Sequence, residues 1–216
     1  MTAVVLPCGA TVEHRNDISD RTVILEMERD DYRLYDLPQI DTALDIGANF
    51  GAVSVSIATM FGATVHAYEP EPENFTLLVR NVDGNEHIVI HPEAIYDGRT
   101  TVRITPGRSG LTRVSSEGLG LLTVLATTLD DAVKRMGGWC DLCKCDTEGS
   151  EGPIFAAASE YTLRNIGRVY LEWHSPELGA EVAALLHSTH NVEVIPKPWD
   201  PEQGMLYAIR KGVAPC

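Results

Sequence analysis

Acidic side chains and one histidine are concentrated in two short stretches of this chain. Asp146 and Glu148 directly follow an apolar run, and Glu172 and His174 end another. Because alternate residues of a strand share a face, Glu172 and His174 are expected to point the same way. Histidine titrates near neutral pH and can take a proton from a substrate hydroxyl. We therefore predict a centre that removes such a proton, with His174 as the first candidate base and Asp146 as the second, and with Glu148 as a further candidate catalytic residue.

The same acidic residues also have a structural interpretation. Asp146 or Thr147 would cap the helix that follows, and Glu148 and Glu151 would favour its dipole. His174 would then be a histidine exposed between a strand and a helix. We favour a functional role for Asp146. For Glu148, Glu151 and His174 the functional and the structural interpretations both stay open.

A metal ion is a further alternative for activating a hydroxyl. Asp146, Glu172 and His174 would be its ligands, and Mg²⁺ is the candidate because it prefers oxygen ligands. Histidine is not a usual Mg²⁺ ligand, and the sequence has no local metal signature. We therefore expect catalysis without a metal.

A turn containing glycines indicates where a ligand binds. The apolar run Thr42–Ile46 leads into Asp45-x-Gly47-x-Asn49-x-Gly51 and then into a helical stretch. Glycine allows a sharp turn and a close approach to a ligand, and the helix adds unpaired N–H groups. The spacing is not that of a dinucleotide site. An acidic residue beside the turn suits a positively charged ligand such as S-adenosylmethionine (SAM), which a side chain at Gly47 is expected to obstruct.

A second acidic position supports a nucleoside ligand. Ala63–Glu69 is a predicted second strand that ends in Glu69. A carboxylate at this place holds ribose hydroxyls in doubly wound folds. The alternative is an ordinary strand–helix turn beside a surface glutamate. This alternative could explain the glycine turn or Glu69 alone, but it explains the two together less well.

Strands and helices alternate along the chain, which is typical of a parallel α/β sheet. The predicted helices are Phe50–Phe61, Glu73–Asp83, Leu129–Met136 and Pro176–His187. Besides the two strands above, the predicted strands are Glu86–His91, Asp141–Asp146, Gly167–His174, Val192–Pro196 and Met205–Arg210, with β character also in Thr101–Thr105 and Leu121–Thr127. Ligands bind where strand order reverses. Asp146 is therefore expected beside the glycine turn.

No linker divides the chain. We expect a short lead-in over residues 1–40 and one domain over 41–216. In the lead-in, Tyr32, Tyr35 and Leu37 are expected to seal the first strand rather than reach the ligand. Pro106–Gly120 is rich in Gly and Ser and predicts a loop. Acceptor specificity is expected to lie in the lead-in and in Asp97–Gly120.

The charge balance limits the partners. The 216 residues carry a net charge of −14, which repels phosphate backbones and anionic membranes. We therefore expect a small-molecule partner and neither nucleic acid nor membrane. No apolar run is long enough to span a bilayer, and no signal peptide is visible, so a cytoplasmic location is expected. The oligomeric state stays open.

The five cysteines do not indicate a disulfide framework, because their number is odd and no secretory signal precedes them. Cys140-x-x-Cys143-x-Cys145 allows a zinc site. On a strand, however, Cys140 faces away from the other two. Buried free thiols are the favoured interpretation.

Taken together, these motifs resemble the FkbM-type SAM-dependent methyltransferases. The matching residues are Asp45–Gly51 with Ser54, Ala67–Pro70 with Asn74, Phe75 and Leu78, Asn81, His91–Ala94 with Gly98, Thr128–Asp130, Lys144–Glu151 and Glu172–His174. They cover about residues 41–175, and the Lys-x-Asp-x-Glu-Gly-x-Glu run is the most specific part. Cys145, Thr147 and Ser150 depart from the family pattern without touching the carboxylates.

The resemblance implies a Rossmann-like class I methyltransferase fold, with a seven-stranded, mostly parallel sheet flanked by helices and an antiparallel last strand. It implies SAM as the cofactor and methylation of a hydroxyl on a sugar, a polyketide or another natural-product intermediate. The cofactor-binding residues that it implies are Asp45, Gly47, Asn49 and Gly51 around the methionine part, Glu69 at the ribose, and Glu93 and Ala94 near the adenine. Ser54 and Asp146 are further predicted cofactor-binding residues.

Three other functions remain as alternatives. The first is methylation of an amine or a nucleic-acid base, which needs no strong base, so that replacing His174 would leave turnover nearly intact. The second is a nicotinamide-dependent dehydrogenase, which the glycine spacing disfavours. The third is a protein that binds SAM without catalysing methyl transfer.

Overall fold

The computed structural model describes residues 1–105, 113–114 and 122–212, with only the backbone described for Arg113–Val114. Cys216 and most of the predicted loop Pro106–Gly120 therefore lie outside the described residues. The strands are β1 (Thr2–Val5), β2 (Thr11–His14), β3 (Thr42–Ile46), β4 (Thr64–Tyr68), β5 (Ile88–His91), β6 (Glu93–Ile95), β7 (Thr101–Thr105), β8 (Arg113–Val114), β9 (Leu122–Thr127), β10 (Cys140–Cys145), β11 (Ile166–Trp173), β12 (His190–Lys197) and β13 (Asp200–Arg210). The α-helices are α1 (Ile18–Arg29), α2 (Ala52–Phe61), α3 (Pro72–Asn81), α4 (Leu129–Arg135), α5 (Glu151–Ala157), α6 (Glu160–Arg164) and α7 (Pro176–Leu186).

Seven strands form the main sheet, in the order β12-β13-β11-β10-β3-β4-β5. Strands β3, β4, β5, β10 and β11 are parallel to their neighbours among these five, and β13 runs antiparallel to both β11 and β12. Six strands therefore run parallel and the last, β13, runs antiparallel, which confirms the predicted seven-stranded, mostly parallel sheet. Strand order reverses between β3 and β10, so the two strands that carry Asp45 and Lys144 lie side by side.

The central strands β3, β10 and β11 are buried on both faces, as is typical of parallel strands covered by helices. Alternation along β3 places Ala43 in one apolar cluster with Phe50 and Leu142. Leu44 and Ile46 belong to a second cluster on the opposite face. The parallel register pairs Cys145 of β10 with Ile46 of β3 and Leu171 of β11, which brings the carboxyl ends of the three strands close together.

The lead-in contains a helix, α1, that the sequence analysis missed. The side chain of Asp17 caps it by accepting a hydrogen bond from the backbone of Asp20. Ile18 and Leu25 are 79% and 49% exposed, so the apolar residues do not mark a single buried face. Tyr32, just after the helix, is buried in the cluster that contains Ala43.

A smaller sheet lies beside the main one, in the order β6-β9-β7-β8. The predicted β character of Thr101–Thr105 and of the segment ending at Thr127 is confirmed. The short helix α6 was also missed. In the described part of the chain, no helix combines the length and the apolar character needed to cross a membrane.

The cysteines of β10 are buried and free. Cys140, Cys143 and Cys145 all belong to the second apolar cluster. The free-thiol interpretation agrees with this environment, because burial raises the pKa of all three thiols.

Candidate active site

The carboxyl ends of four adjacent strands place the predicted residues together. In the order β11, β10, β3 and β4, these ends lead to His174, Asp146, Gly47 and Glu69. The backbone N–H of Asp146 donates a hydrogen bond of 3.0 Å to the carbonyl oxygen of Ile46. Asp146 therefore lies beside the glycine turn, as the sequence predicts.

Gly47 is required by the protein's own backbone. Its φ is +77°, and an added Cβ would lie 1.8 Å from the carbonyl oxygen of Asp146. A side chain here would therefore collide with the strand end that carries Asp146, and its expected obstruction of the ligand stays a prediction.

Three buried polar side chains support the turn from behind. Lys144 lies 3.1 Å from Oδ1 of Asp45 and donates a 2.7 Å hydrogen bond to the carbonyl oxygen of Gly47. Ser54 donates to Oδ2 of Asp45 at 2.6 Å. Burial alone would lower the pKa of Lys144, but Asp45 and Asp146 outweigh burial and raise it. Asp45 and Ser54 thus hold the turn in shape, and the negative charge of Asp45 is already paired.

The carboxylate of Glu69 ties two loops together. It accepts hydrogen bonds of 2.8 Å from the backbone N–H groups of Asn49 and Glu71 and one of 3.4 Å from the Asn74 side chain. Burial raises the pKa of Glu69 to about 7, and these donors only partly oppose it. A carboxylate offers about four acceptor sites, so room remains for a further donor.

A cavity runs along these strand ends. It is lined by Ile46, Gly47, Asn49, Tyr68, Glu69, Pro70, Asn74, Glu93, Ala94, Ile95, Ile104, Asp146, Thr147, Glu148 and Ser150. Six predicted cofactor-binding residues are among them: Gly47, Asn49, Glu69, Glu93, Ala94 and Asp146. The other three, Asp45, Gly51 and Ser54, do not line it. We call this space the donor cavity.

The turn after β10 is folded around Glu151. The buried carboxylate of Glu151 accepts hydrogen bonds from the backbone N–H groups of Thr147, at 2.8 Å, and Gly149, at 3.0 Å. Oε1 also lies 3.3 Å from Nδ1 of His174. The helix N-cap is Ser150, so the alternative interpretation, in which Asp146 or Thr147 caps this helix, is wrong. Glu151 shapes the turn, which frees Asp146 and Glu148 to face the cavity.

The imidazole of His174 is surrounded by carboxylates. Its Nε2 lies 3.3 Å from Glu148 Oε2 and 3.7 Å from Asp146 Oδ1. Oε1 of Glu172 is 3.9 Å from the same nitrogen, so the expected shared face is confirmed. Burial alone would lower the pKa of His174, but Glu151, Asp146 and Glu148 outweigh burial and raise it to about 10. Both ring nitrogens are directed at carboxylates.

Three residues of this site, Glu26, Tyr32 and Lys197, were missed or misjudged from the sequence. Lys197 donates hydrogen bonds of 2.6 Å to Glu172 and 3.2 Å to Glu26. Burial and neighbouring negative charge raise the pKa of both carboxyls. Tyr32 donates a hydrogen bond of 3.2 Å to Oδ2 of Asp146, so it reaches the site as well as packing in the core. No local sequence motif predicts these long-range contacts.

Comparisons with known proteins identify the fold and the family. The family model described as "Methyltransferase FkbM domain" matches residues 45–193. Among solved structures, a precorrin-6y C5,15-methyltransferase from Geobacter metallireducens GS-15 is similar, with 14% identity, a TM-score of 0.53, and 92% of this chain and 94% of that chain covered.

Two further structures share the fold. A methyltransferase from Pyrococcus furiosus has 16% identity and a TM-score of 0.51, with 95% of this chain and 90% of that chain covered. Fibrillarin from Aeropyrum pernix, solved with natively bound SAM, has 12% identity and a TM-score of 0.52, with coverage of 81% and 68%. These likenesses establish a class I methyltransferase fold. No curated protein matches the chain.

Proposed function

The chain belongs to the family of FkbM methyltransferases, and from this premise we propose that it transfers the methyl group of SAM to a hydroxyl of a small molecule. The observation that supports this acceptor class is the position of Asp146 and Glu148, which line the same cavity as Gly47 and Glu69. An aliphatic hydroxyl is a poor nucleophile at neutral pH, and it needs a positioned proton acceptor.

The donor cavity suits SAM. Asn49 and the backbone at Gly47 would hold the methionine part, Glu69 the ribose, and Glu93 and Ala94 the adenine. Glu93 accepts a 2.8 Å hydrogen bond from Arg135. This bond fixes the position of Glu93 at the adenine end of the donor cavity. SAM supplies a methyl group already activated by a positively charged sulfur. The residues of this chain have to orient donor and acceptor in line.

Proton acceptance is assigned to the carboxylates Asp146 and Glu148. His174 was the first candidate from the sequence, but its two nitrogens face Glu148 and Glu151 at 3.3 Å each. No ring lone pair is directed at the donor cavity, so His174 positions the carboxylates instead. In the reaction the acceptor O–H bond breaks, the oxygen bonds to the methyl carbon, and the carbon–sulfur bond releases S-adenosylhomocysteine.

The acceptor is expected to be a sugar, polyketide or similar natural-product intermediate. A net charge of −14 opposes binding of a phosphate backbone, which disfavours nucleic acid. The match to a methyltransferase family argues against the dehydrogenase alternative.

A matched pair of acceptors tests the proposal. The protein is incubated with methyl-labelled SAM and either a set of alcohols or the corresponding amines, and S-adenosylhomocysteine and labelled product are measured. Methylation of the alcohols by the wild-type protein, at a rate that falls strongly in the Asp146→Asn variant, supports O-methylation. Transfer only to the amines, or SAM binding without any product, contradicts it. A co-crystal with S-adenosylhomocysteine then outlines the acceptor space beyond the sulfur.

A further inference from the structure

Three side chains at the edge of the donor cavity converge on one point. Asp146, Glu148 and His174 each offer one ligand atom, and these atoms lie within 4.8 Å of one another. Nε2 of His174 is 3.3 Å from Oε2 of Glu148 and 3.7 Å from Oδ1 of Asp146. Ligand atoms around an ion with bonds of about 2.1 Å are about 3 to 4 Å apart, so only small side-chain movements separate this arrangement from a coordination shell. We propose that Asp146, Glu148 and His174 bind one divalent ion of the first transition row, such as Mn²⁺ or Zn²⁺.

Two buried polar atoms without partners support a cation site here. Among the described residues, Oδ1 of Asp146 and Nδ1 of His174 are buried without a hydrogen-bond partner. The side chain of His174 is only 6% exposed, and its Nε2 is directed at Asp146 and Glu148. Buried polar atoms without partners are uncommon and costly. A cation among these atoms would satisfy Asp146 directly.

Glu151 fits the role of a second-layer partner for the histidine. Its fully buried carboxylate is fixed by the turn after β10 and lies 3.3 Å from Nδ1 of His174. In metal sites a carboxylate at this position accepts the Nδ1 proton, which leaves the lone pair of Nε2 for the ion. A small rotation of the ring would complete that hydrogen bond.

A competing group of carboxylates already has its cation. Glu26, Asp146 and Glu172 also lie close enough to share an ion, but the ammonium of Lys197 contacts Glu172 at 2.6 Å and Glu26 at 3.2 Å. For the same reason Glu172 is not assigned as a ligand, although the sequence suggested it. Glu148 takes its place.

The donor set selects the class of ion. One imidazole nitrogen with two carboxylate oxygens suits first-row transition ions, whereas Mg²⁺ prefers oxygen alone. Mg²⁺, which the sequence analysis considered only as an alternative, therefore does not fit this donor set. The side chains of Asp146 and Glu148 are 21% and 23% exposed, so the ion would keep an open side towards solvent and the acceptor.

The role of the ion rests on the proposed function, but its binding does not. A hydroxyl bound to the ion would have a lowered pKa. With the ion bound, Asp146 and Glu148 would serve as its ligands instead of accepting the proton, which would leave to solvent. The oxygen would then attack the methyl carbon, and the bond from that carbon to sulfur would break. The products balance as a methyl ether, S-adenosylhomocysteine and one proton.

Metal binding can be measured without SAM or acceptor. The full-length chain is treated with a chelator and titrated with Mn²⁺, with the electron paramagnetic resonance signal of the free ion as the readout, and then with Co²⁺, with its visible absorption as the readout. Glu148→Gln and His174→Ala are compared with two controls, Glu172→Gln and His91→Ala. Circular dichroism verifies folding.

One ion per chain is expected, with affinity at least about tenfold weaker in Glu148→Gln and His174→Ala and nearly unchanged in both controls. If His174→Ala does not fold, Glu148→Gln decides alone. No stoichiometric binding up to about 1 mM, or binding that Glu172→Gln abolishes and Glu148→Gln spares, overturns the site. Methyl transfer by a protein that binds no ion overturns this inference only, and ion binding without O-methylation overturns the proposed function only.

Discussion

The hydroxyl of Tyr32 donates a hydrogen bond of 3.2 Å to Oδ2 of Asp146. The two residues are 114 positions apart in the sequence, and they join the lead-in to the reaction centre. Tyr32 is buried, and burial followed by the charge of Asp146 raises its pKa well above the ordinary value. The phenol therefore stays protonated and acts as a donor that fixes the orientation of Asp146.

Tyr32→Phe is expected to lower kcat about fivefold, because one hydrogen bond to Asp146 is worth about 1 kcal/mol. The Michaelis constant for SAM should change little, since Tyr32 does not line the donor cavity. Steady-state kinetics separates the two effects. Tyr35→Phe, at an exposed position nearby, is the control. Equal kcat values for both variants would remove the positioning role.

Most of this site could be predicted from the sequence, because the predicted residues follow the carboxyl ends of parallel strands. Asp146 beside Gly47, and Glu172 on one face with His174, both followed from alternation and from the parallel order of the strands. Tyr32 was expected only to seal the first strand, and that expectation was incomplete. Glu26 lies on helix α1, whose apolar residues are partly exposed. The sequence therefore shows no clear helical periodicity there, and neither the helix nor Glu26 was predicted. Its partner, Lys197, lies in a strand that was predicted to end one residue earlier.

The predicted role of Asp45 also changed for a physical reason. The sequence suggested that its charge attracts the ligand, but tertiary packing brings Lys144 within 3.1 Å. A single strand pattern shows which face a side chain occupies and not which charge from the neighbouring strand will meet it.

The pair of Asp45 and Lys144 predicts strong coupling. Lys144→Met leaves a buried carboxylate unpaired, and Asp45→Asn leaves a buried ammonium unpaired. Each variant is expected to lose about 3–5 kcal/mol of unfolding free energy. The double variant should lose clearly less than the sum of the two, because neither charge is then left alone. Urea denaturation of the four proteins measures this. Additive losses would show that the two groups do not interact.

Gly47→Ala is expected to destabilise the protein by more than its backbone conformation alone explains. Gly62 is a matched control, because its φ is +63° but an added Cβ there would have no neighbour within 4 Å. Gly62→Ala should cost about 1–2 kcal/mol. Gly47→Ala adds the collision with the Asp146 carbonyl, so its melting temperature and SAM affinity should both fall further. Equal melting temperatures would contradict the close approach seen here.

The raised pKa of Glu69 predicts that pH controls SAM binding. The pKa is raised from 4.5 to about 7 by burial, so the free folded protein holds this proton more tightly than the unfolded chain does. Stability from this group is therefore full below about pH 4.5 and is lost as the pH rises towards 7. Ribose hydroxyls donate best to the ionised carboxylate. SAM affinity should accordingly rise over the same interval in which the stability of the free protein falls.

Isothermal titration calorimetry between pH 6 and pH 8 tests this prediction. Wild-type affinity for SAM should rise several-fold across pH 7, while Glu69→Gln should bind more weakly, by about 2–3 kcal/mol at pH 8, and lose this pH dependence. Glu73→Gln, at an exposed position on α3, should behave like the wild type. The ribose role of Glu69 fails if its variant keeps the wild-type affinity at pH 8. A variant that keeps the wild-type pH profile would instead assign the titration to another group.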